Sequence, residues 1–181
     1  SERRQRAYLE VMRLLATATN QRDLMPKVVD ALRRAVPCEV GAYWDIDDDT
    51  QRLMCTDVLH DPDPSLAEFA HMLRGIRYVA GADLPGLVWR SGEVYWVQDI
   101  SEEPSLLSKR QAVNPGIRGA CAFPIKVGPE VVGIVELLSR ERWEVDLELA
   151  ETLESIGSQI GLFVERRRTE QDLRKSETRK A

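Results

Sequence analysis

Glu136 is the residue whose type and setting point most directly to chemistry, because its carboxylate interrupts an otherwise apolar run over residues 131–138. Burying a carboxylate without a partner is costly, so this side chain must either hydrogen-bond to a neighbouring segment or contact a ligand. Arg118 and nearby backbone N–H groups could provide the structural partner. Glu136 is therefore a candidate site residue, and the structural and ligand-binding roles are both open.

Four further candidates are large or polarisable side chains in apolar surroundings. Trp89, Trp96 and Phe123 could line a mostly apolar cavity that binds a small molecule. In a chain with 6% aromatic residues they would also serve as core fillers. Cys121 lies two positions from Phe123 and completes the set. With Glu136, these residues form the predicted ligand pocket, and no residue is predicted to be catalytic or to bind a metal.

The cysteines and histidines point away from metal and disulfide chemistry. Cys38, Cys55 and Cys121 are odd in number and have no C-x-x-C spacing. That pattern indicates reduced thiols in a cytoplasmic setting, where free cysteines are usually small buried side chains. His60 and His71 are isolated from other metal-ligating residues, and a metal site needs clustered donors.

Composition gives no reason to expect a nucleic-acid or membrane partner. The 181 residues include 25 Lys and Arg against 30 Asp and Glu, a net charge of −5. The basic run 166–168 is interleaved with Glu165, Glu170 and Asp172, which is typical of a solvated helix with intrahelical ion pairs. No apolar run approaches the ~20 residues that a membrane helix needs.

Hydrophobic periodicity predicts helices towards both ends of the chain and strands between them. Spacings of three and four predict helices over residues 6–18 and 23–36, and a third helix runs from Ser65, as its N-cap, to Leu73. A short helix is predicted over residues 104–113. Residues 75–91 fit neither period and are expected to cover the pocket. The predicted strands are 38–46, 52–58, 94–98, 119–126 and 130–139.

The turn at Gly128 and Pro129 fixes a register for the last two strands. A two-residue loop with Gly first suits a type II′ turn. If the strands pair directly from this turn, Cys121 lies opposite Glu136, and that face is left for a cavity or lid. Small residues on the other face would let the terminal helices pack closely. That second face contains Ala120, Ala122, Pro124, Gly133, Val135 and Leu137.

The last helix is expected to begin near Glu144 or Asp146, since acidic residues suit the N-terminal end of a helix. Its apolar residues alternate spacings of four and three, the pattern of a coiled-coil seam. Beyond Phe163 the helix continues but the strict heptad is lost. The seam consists of Leu149, Leu153, Ile156, Ile160 and Phe163.

Two stretches, LPGLVWRSGEVYWVQDI at residues 84–100 and GACAFPIKVGPEVVGIVELLS at residues 119–139, resemble the GAF domain in residue identity and spacing. The resemblance implies an α+β fold. Its GAF/PAS-like central antiparallel sheet of about five to six strands has N- and C-terminal helices on one face and ligand-pocket helices and loops on the other. The implied divisions are an N-terminal signalling or dimer helix (1–20), a GAF domain (21–163) whose last helix starts at about 144, and a coiled-coil-like connector to a downstream module (164–181).

The resemblance further implies regulation by an unidentified small molecule. Such a domain would belong to a multidomain signal-transduction protein, a two-component histidine kinase or a PAS-containing protein. It would form a homodimer through its terminal helices and transmit a ligand-dependent population shift along the last helix. The cofactor is unspecified: the cyclic-nucleotide signature of the family cannot be placed on this chain. None of the cysteines has the following aromatic ring or His that accompanies bilin attachment.

Two alternatives stay open. A ligand-free domain could act purely as a structural relay that holds a dimer in register. A methionine-sulfoxide reductase of GAF fold would need a low-pKa thiol and a resolving partner. Because the local cysteine motifs of that group are absent, the domain is expected not to be an enzyme.

Overall fold

The computed structural model of the protein describes residues 2–36, 38–103, 106 and 108–180. The strands are β1 (Val40–Asp47), β2 (Arg52–His60), β3 (Arg77–Tyr78), β4 (Tyr95–Val97), β5 (Gly119–Val127) and β6 (Glu130–Ser139). The helices are α1 (Glu2–Thr17), α2 (Gln21–Ala35), α3 (Pro64–Arg74), α4 (Asp83–Ser91) and α5 (Leu147–Lys180). Two 3₁₀ helices span Ile100–Glu102 and Ser108–Val113.

The strands form one six-stranded antiparallel sheet in the order β3-β2-β1-β6-β5-β4. Apolar residues from alternate positions of the strands form two clusters, one on each face of the sheet. Helices α1, α2 and α5 cover one face, called the terminal face, and α3 and α4 cover the other, called the lid face. The predicted α+β fold with terminal helices on a single face is confirmed.

Polar side chains fix the starts of three helices. Asn20 Oδ1 accepts a hydrogen bond from Asp23 N at 2.8 Å and caps α2. Asp63, and not the predicted Ser65, caps α3, because its Oδ1 accepts from the backbone N of Ser65 at 2.8 Å. Asp146 does the same for α5, accepting from Leu149 N at 3.1 Å.

The β5–β6 hairpin keeps the expected register only next to its turn. Gly128 has a φ of 59°, and Val127 pairs with Glu130 as predicted. The register then shifts between Ile125 and Lys126. A bulge of this kind adds one residue to one strand, and every later pair is displaced.

The bulge overturns the predicted assignment of residues to faces. Ala122, and not Cys121, lies opposite Glu136. Ala122 belongs to the lid-face cluster, whereas Cys121, Phe123 and Ile125 pack in the terminal-face cluster. Because the side-chain period of a strand is two, a slip of one residue exchanges the faces of a whole strand relative to its neighbour.

The predicted seam of α5 is buried within the chain itself. Helix α5 packs along β5 and against α1 of the same chain. These apolar residues are therefore buried without a helix from a second copy of the protein. The buried seam residues are Leu149, Leu153, Ile156, Ile160 and Phe163.

Two glycines let α5 approach β5 closely. A Cβ at Gly157 would collide with the carbonyl oxygen of Pro124, and a Cβ at Gly161 with that of Lys126. Helix and strand backbones therefore touch where any side chain would separate them. The prediction that small residues of the sheet would allow this close approach is wrong, because Ala120 and Ala122 lie on the lid face and the small residues at the contact are on the helix.

The segments that were hardest to assign from sequence form the lid. Residues 75–91 contain β3 and α4, and α4 ends at Gly92, whose φ of 68° suits a glycine C-cap. The helix predicted at 104–113 is a 3₁₀ helix, Ser108–Val113, and residues 104, 105 and 107 lie outside the described part of the chain. Among the described residues, no helix combines the length and apolar character needed to cross a membrane.

Candidate functional site

A charged cluster is buried on the lid face around Glu136. Glu136 is fully buried in the middle of β6, and its Oε1 accepts a hydrogen bond from Trp44 Nε1 at 3.1 Å. The same oxygen accepts from Arg110 Nη1 at 2.9 Å. Arg110 belongs to the 3₁₀ helix Ser108–Val113, and its side chain is only 2% exposed. Glu136 thus meets a cation from the lid, not the predicted Arg118, which pairs with Asp99.

Arg110 is surrounded by acceptors and aromatic rings. Its Nε donates to the Tyr78 hydroxyl at 3.2 Å, and its Nη2 donates to Asp83 Oδ1 at 3.3 Å. The guanidinium carbon lies 5.9 Å from the centroid of the Trp44 ring and 5.7 Å from that of Tyr78, within cation–π range. The four side chains that surround Arg110 form the buried cage: Trp44, Tyr78, Asp83 and Glu136.

Asp83 enters the cage from a strained backbone. It starts α4 with a φ of 56°, a left-handed value that is uncommon for residues other than glycine. Its Oδ1 accepts from Leu84 N at 2.7 Å, and its Oδ2 accepts from the Tyr78 hydroxyl at 2.8 Å. Backbone strain of this kind persists where surrounding contacts hold it, and it is concentrated at functional sites.

The cage holds its cation firmly but does not use all of its acceptor capacity. Burial opposes the charge on Arg110, but Glu136, Tyr78 and Asp83 outweigh that effect and raise the guanidinium pKa above its usual range. Burial also raises the pKa of the Tyr78 phenol, which keeps it a donor. Glu136 Oε2 is buried and has no hydrogen-bond partner among the described residues. An unsatisfied buried acceptor costs about 1–3 kcal/mol, and more when it is charged.

Only one of the predicted pocket residues, Glu136, belongs to the cage. Cys121 and Phe123 are fully buried on the terminal face. Trp96 packs at that face as well: its Nε1 donates to the carbonyl of Trp143 at 2.8 Å, and the two rings meet edge to face at 4.9 Å. The structure therefore separates residues that the sequence had grouped.

Trp89 is next to a different concavity. A cleft of about 810 Å³ lies where the β1–β2 and β5–β6 hairpins meet the end of α4, and Trp89 and Arg90 are among its lining residues. Its charged lining is mixed in sign, with Lys126 and Arg168 as well as Asp45 and Asp57. This open cleft is separate from the buried cage, and neither the cage residues nor Arg110 line it.

Sequence reasoning missed Arg110 and the three cage residues other than Glu136. Trp44 carried a signal, because the alternation in β1 puts it on the same face as Val40 and Ala42. Asp83 follows the turn residues Gly81 and Ala82, but an aspartate at this position does not predict a positive φ. Tyr78 lies in a two-residue strand, and Arg110 in a short 3₁₀ helix, so neither has a periodic setting that would mark it.

All three thiols are buried. Burial, with Glu39 as the next cause, raises the pKa of Cys38 to about 12. Burial and then Glu136 raise that of Cys55 to about 12, and burial raises that of Cys121 above the usual range. Within the described part of the chain, no group of three or more His, Cys, Asp or Glu residues could hold a metal ion.

The fold and the cage define a class of α+β domain: one face of an antiparallel sheet is covered by terminal helices, and a polar cluster is enclosed under the other. Residues 18–165 match the GAF domain family, so the chain belongs to that family. GAF domains are commonly regulatory sensor domains. None of the curated proteins compared matches the chain significantly.

Solved GAF domains share the architecture at low sequence identity. The GAF domain of a phosphoenolpyruvate-protein phosphotransferase from Coxiella burnetii superposes with a TM-score of 0.76 at 16% identity, covering 93% of this chain and 96% of that one. The corresponding domain from Acinetobacter gives a TM-score of 0.74 at 12% identity over 95% and 99% of the two chains. At these identities the likeness shows the fold alone.

The same fold also occurs in an enzyme. The free methionine-R-sulfoxide reductase from Neisseria meningitidis, solved in complex with its substrate, has a TM-score of 0.75 at 14% identity over 92% of this chain and 90% of that one. This likeness overturns the sequence-based expectation that the domain is not an enzyme, which rested on the absence of the local cysteine motifs of the reductases. Fold and family are compatible with either kind of activity.

Proposed function

We propose that this domain is a small-molecule sensor whose ligand site is the buried cage. The observation that carries the proposal is Glu136 itself: it is a fully buried carboxylate on the lid face, and one of its oxygens has no hydrogen-bond partner among the described residues. Buried charges are poor contributors to stability compared with apolar packing of the same volume. The domain keeps the Glu136 carboxylate, the Arg110 guanidinium and the strained Asp83 in its interior. Because these groups add little to stability, we infer that they serve a function.

The sheet offers a short route from the cage to the last helix. Val135 and Leu137 flank Glu136 on β6 and pack into the terminal-face cluster. Strand β5 lies beside β6 and contacts α5 through Gly157 and Gly161. A ligand that prefers one position of β6 would therefore bias the packing of α5 by a population shift.

The proposed output lies beyond α5, in a PAS or histidine-kinase module of the same chain. The last buried residue of α5 is Val164, and residues 165–180 continue the helix away from the core with nearly all side chains exposed. Sixteen helical residues extend roughly 24 Å. A helix that leaves the domain in this way can carry a change of angle or register.

We propose in addition that two copies associate through their terminal helices. Leu9 on α1 is 63% exposed. It borders a groove of about 570 Å³ between α1 and α5 that also includes Tyr8 and Thr152. Sedimentation at micromolar concentration should show a dimer for the wild type and a monomer for Leu9→Glu. Val79→Glu, at a 51% exposed position between β3 and α4, is the matched control and should stay dimeric. A monomeric wild type contradicts this part of the proposal.

The sensor function is tested by native mass spectrometry of protein purified from its natural host. The wild type should carry an additional bound mass, and Glu136→Gln should lose most of it. Glu130→Gln changes the same functional group on the same strand at a side chain 64% exposed, so it should retain the mass. The sensor proposal fails if the wild type carries no bound mass and takes up none from a metabolite extract of the host.

That negative result would favour a second candidate, a ligand-free structural relay. The observation behind it is that Arg110 fills the cage from within the chain. In a relay, the terminal-helix dimer would persist without any ligand, and cage substitutions would alter stability without altering the response of the downstream module.

Thiol chemistry is a third candidate, because Cys55 lies on the lid face within electrostatic reach of Glu136 and Arg110. A thiol nucleophile must be deprotonated, and the pKa of about 12 for Cys55 opposes this. The decisive test is turnover of free methionine sulfoxide with a dithiol reductant. Turnover that Cys55→Ser abolishes would establish a reductase, and turnover by neither protein would exclude this chemistry.

A further inference from the structure

We infer that the buried cage is a binding site for a cationic nitrogen group, a guanidinium or an alkylammonium, and that Arg110 occupies it as an in-chain substitute for such a ligand. This inference rests on the proposed sensor function and specifies the chemical class of its ligand. Three observations support it: the contacts that the cage makes with the Arg110 guanidinium, the Glu136 oxygen that Arg110 does not contact, and the position of Arg110 on a short segment of the lid.

The cage encloses the Arg110 cation on several sides. Three acceptors from three different elements converge on the guanidinium: Glu136 Oε1 from β6, the Tyr78 hydroxyl from β3, and Asp83 Oδ1 from α4. Trp44 and Tyr78 present their rings to it at 5.9 and 5.7 Å. Carboxylates together with aromatic faces are the chemistry by which proteins recognise cationic ligands.

Contacts among the cage residues themselves hold the cage together, independently of Arg110. Trp44 Nε1 donates to Glu136 Oε1, and the Tyr78 hydroxyl donates to Asp83 Oδ2 at 2.8 Å. The rings of Trp44 and Tyr78 pack at a centroid distance of 5.1 Å. The acceptors are thus positioned by strands of the sheet and by α4, whereas Arg110 reaches them from a short 3₁₀ helix.

Arg110 leaves one oxygen of Glu136 unused. Its Oε2 is buried, and no described residue donates to it. Arg110 is tethered and meets Glu136 at Oε1 only. A free guanidinium or ammonium group is not constrained in this way and can also donate to Oε2. The site therefore offers a diffusible cation a contact that the in-chain arginine does not make.

Displacement sets the affinity that a ligand would need. A group on a short tether competes at an effective concentration of the order of millimolar or higher. A free cation therefore replaces Arg110 in the wild type only when the ratio of its concentration to its own Kd exceeds the ratio of that effective concentration to the Kd of an untethered arginine head group. Removing the Arg110 side chain should reveal the affinity of the empty cage directly.

Chemical rescue of Arg110→Ala tests the inference. Ethylguanidinium and ethylammonium supply the two kinds of cation, and N-ethylurea supplies a neutral molecule of the shape of ethylguanidinium. The melting temperature of Arg110→Ala should rise by several degrees with at least one of the cations and much less with N-ethylurea at the same concentration. The wild type, already occupied, should respond only at higher concentration. The cation that rescues more effectively shows whether the cage prefers a guanidinium or an alkylammonium ligand.

Two variants locate the effect at the cage. Arg118→Ala removes an arginine paired with Asp99 at a side chain 54% exposed, so it should show no preference for the cations over N-ethylurea. Arg110→Ala combined with Glu136→Gln should lose most of the rescue, because the recognising carboxylate is gone. If Arg110→Ala does not fold alone, recovery of its circular dichroism on refolding with each compound replaces the melting temperature.

The inference is overturned if N-ethylurea stabilises or refolds Arg110→Ala as well as the cations do, or if none of the compounds acts. This failure is distinguishable from failure of the sensor function. A bound cellular mass that depends on Glu136, without cation rescue, would leave a sensor with another ligand class. Cation rescue without any bound cellular mass would leave the cage chemistry intact and remove the sensor.

Discussion

Arg110 Nη1 lies 2.9 Å from Glu136 Oε1, and the two side chains are only 2% and 0% exposed. The pair joins a 3₁₀ helix of the lid to the middle of the sheet, with no water-accessible side from which either charge could be solvated. A buried pair of this kind adds little to stability relative to apolar residues, but removing one partner is costly because the other charge is left uncompensated. Because of that asymmetry, the coupling free energy between the two side chains can be measured.

A double-mutant cycle on Arg110 and Glu136 should show strong coupling. Arg110→Met and Glu136→Leu should each lower the free energy of unfolding by about 3–5 kcal/mol, because each leaves a buried charge unpaired. The double variant should be more stable than the sum of the two losses implies, by about 1–3 kcal/mol. Urea denaturation measures all four proteins.

Arg118→Met is the control for that cycle. Arg118 pairs with Asp99 at 2.6 Å, and the two side chains are 54% and 8% exposed, so only Arg118 is open to solvent. Because Asp99 also accepts hydrogen bonds from the backbone N and hydroxyl of Ser101, the loss from Arg118→Met should be smaller than that from either cage substitution. It was also the partner that the sequence suggested for Glu136. Simple additivity of Arg110→Met and Glu136→Leu, or a larger loss from Arg118→Met, would show that the buried pair does not hold the cage together.

Substitutions at Asp83 should separate its backbone strain from its hydrogen bonds. Asp83→Gly and Asp83→Ala both lose the contacts to Tyr78 and Arg110, but only glycine adopts a φ of 56° without penalty. The alanine variant should therefore unfold more easily than the glycine variant, by about 1–2 kcal/mol. Equal stability of the two Asp83 variants would mean that the site carries no backbone strain.

The contact between α5 and β5 should be intolerant of one methyl group. Glycine to alanine inside a helix is ordinarily stabilising by up to about 1 kcal/mol. Gly157→Ala and Gly161→Ala should reverse that sign, by about 1–3 kcal/mol or more, because the new Cβ meets backbone oxygens of Pro124 and Lys126. Ser158→Ala, at an exposed position of the same helix, should change the unfolding free energy by less than about 0.5 kcal/mol. Thermal or urea unfolding decides, and unchanged stability of both glycine variants would show that α5 does not touch β5.

The layered fold was predictable because it rests on periodicity. The alternation in β1 and the three-and-four spacing in α2 and α5 are strong patterns, and they correctly indicated strands with helices on one face. The sequence predicted that the seam of α5 is apolar and buried, but it did not predict what the seam packs against. The reason is that β5 and α1 of the same chain can bury this repeat as well as a helix of a second copy could. Sequence periodicity specifies which side chains are buried and leaves open what buries them.

The site was predictable only at Glu136. A carboxylate in an apolar strand stands out from sequence alone, but its partner Arg110 comes from a short 3₁₀ helix with no periodic signal. The single-residue bulge at Ile125 and Lys126 also reversed the expected face of Cys121 and Phe123. A bulge has no marker here that distinguishes it from regular pairing, and one residue is sufficient to exchange the two faces.

Cys38 should make the protein sensitive to alkaline pH. Its pKa is raised from 9.0 to about 12, chiefly by burial and then by Glu39, so the folded state retains a proton that the unfolded state releases. The stability that this thiol contributes is present in full below pH 9.0 and is lost as the pH rises towards about 12. Cys38→Ala should remove about 1.4 kcal/mol per pH unit from the alkaline decline. Urea unfolding as a function of pH measures the slope, and identical slopes for the two proteins would contradict a buried, protonated thiol.

The most direct test of the ligand site is the indole N–H spectrum of ¹⁵N-labelled protein titrated with a metabolite extract of the natural host. The Trp44 signal reports the buried cage through its bond to Glu136, and the Trp89 signal reports the open cleft. Trp44→Phe and Trp89→Phe assign the two signals. The Trp44 signal should shift on addition of extract, and Glu136→Gln should abolish that shift. A shift of Trp89 with Trp44 unmoved, or no shift of either, would contradict the buried cage as the ligand site.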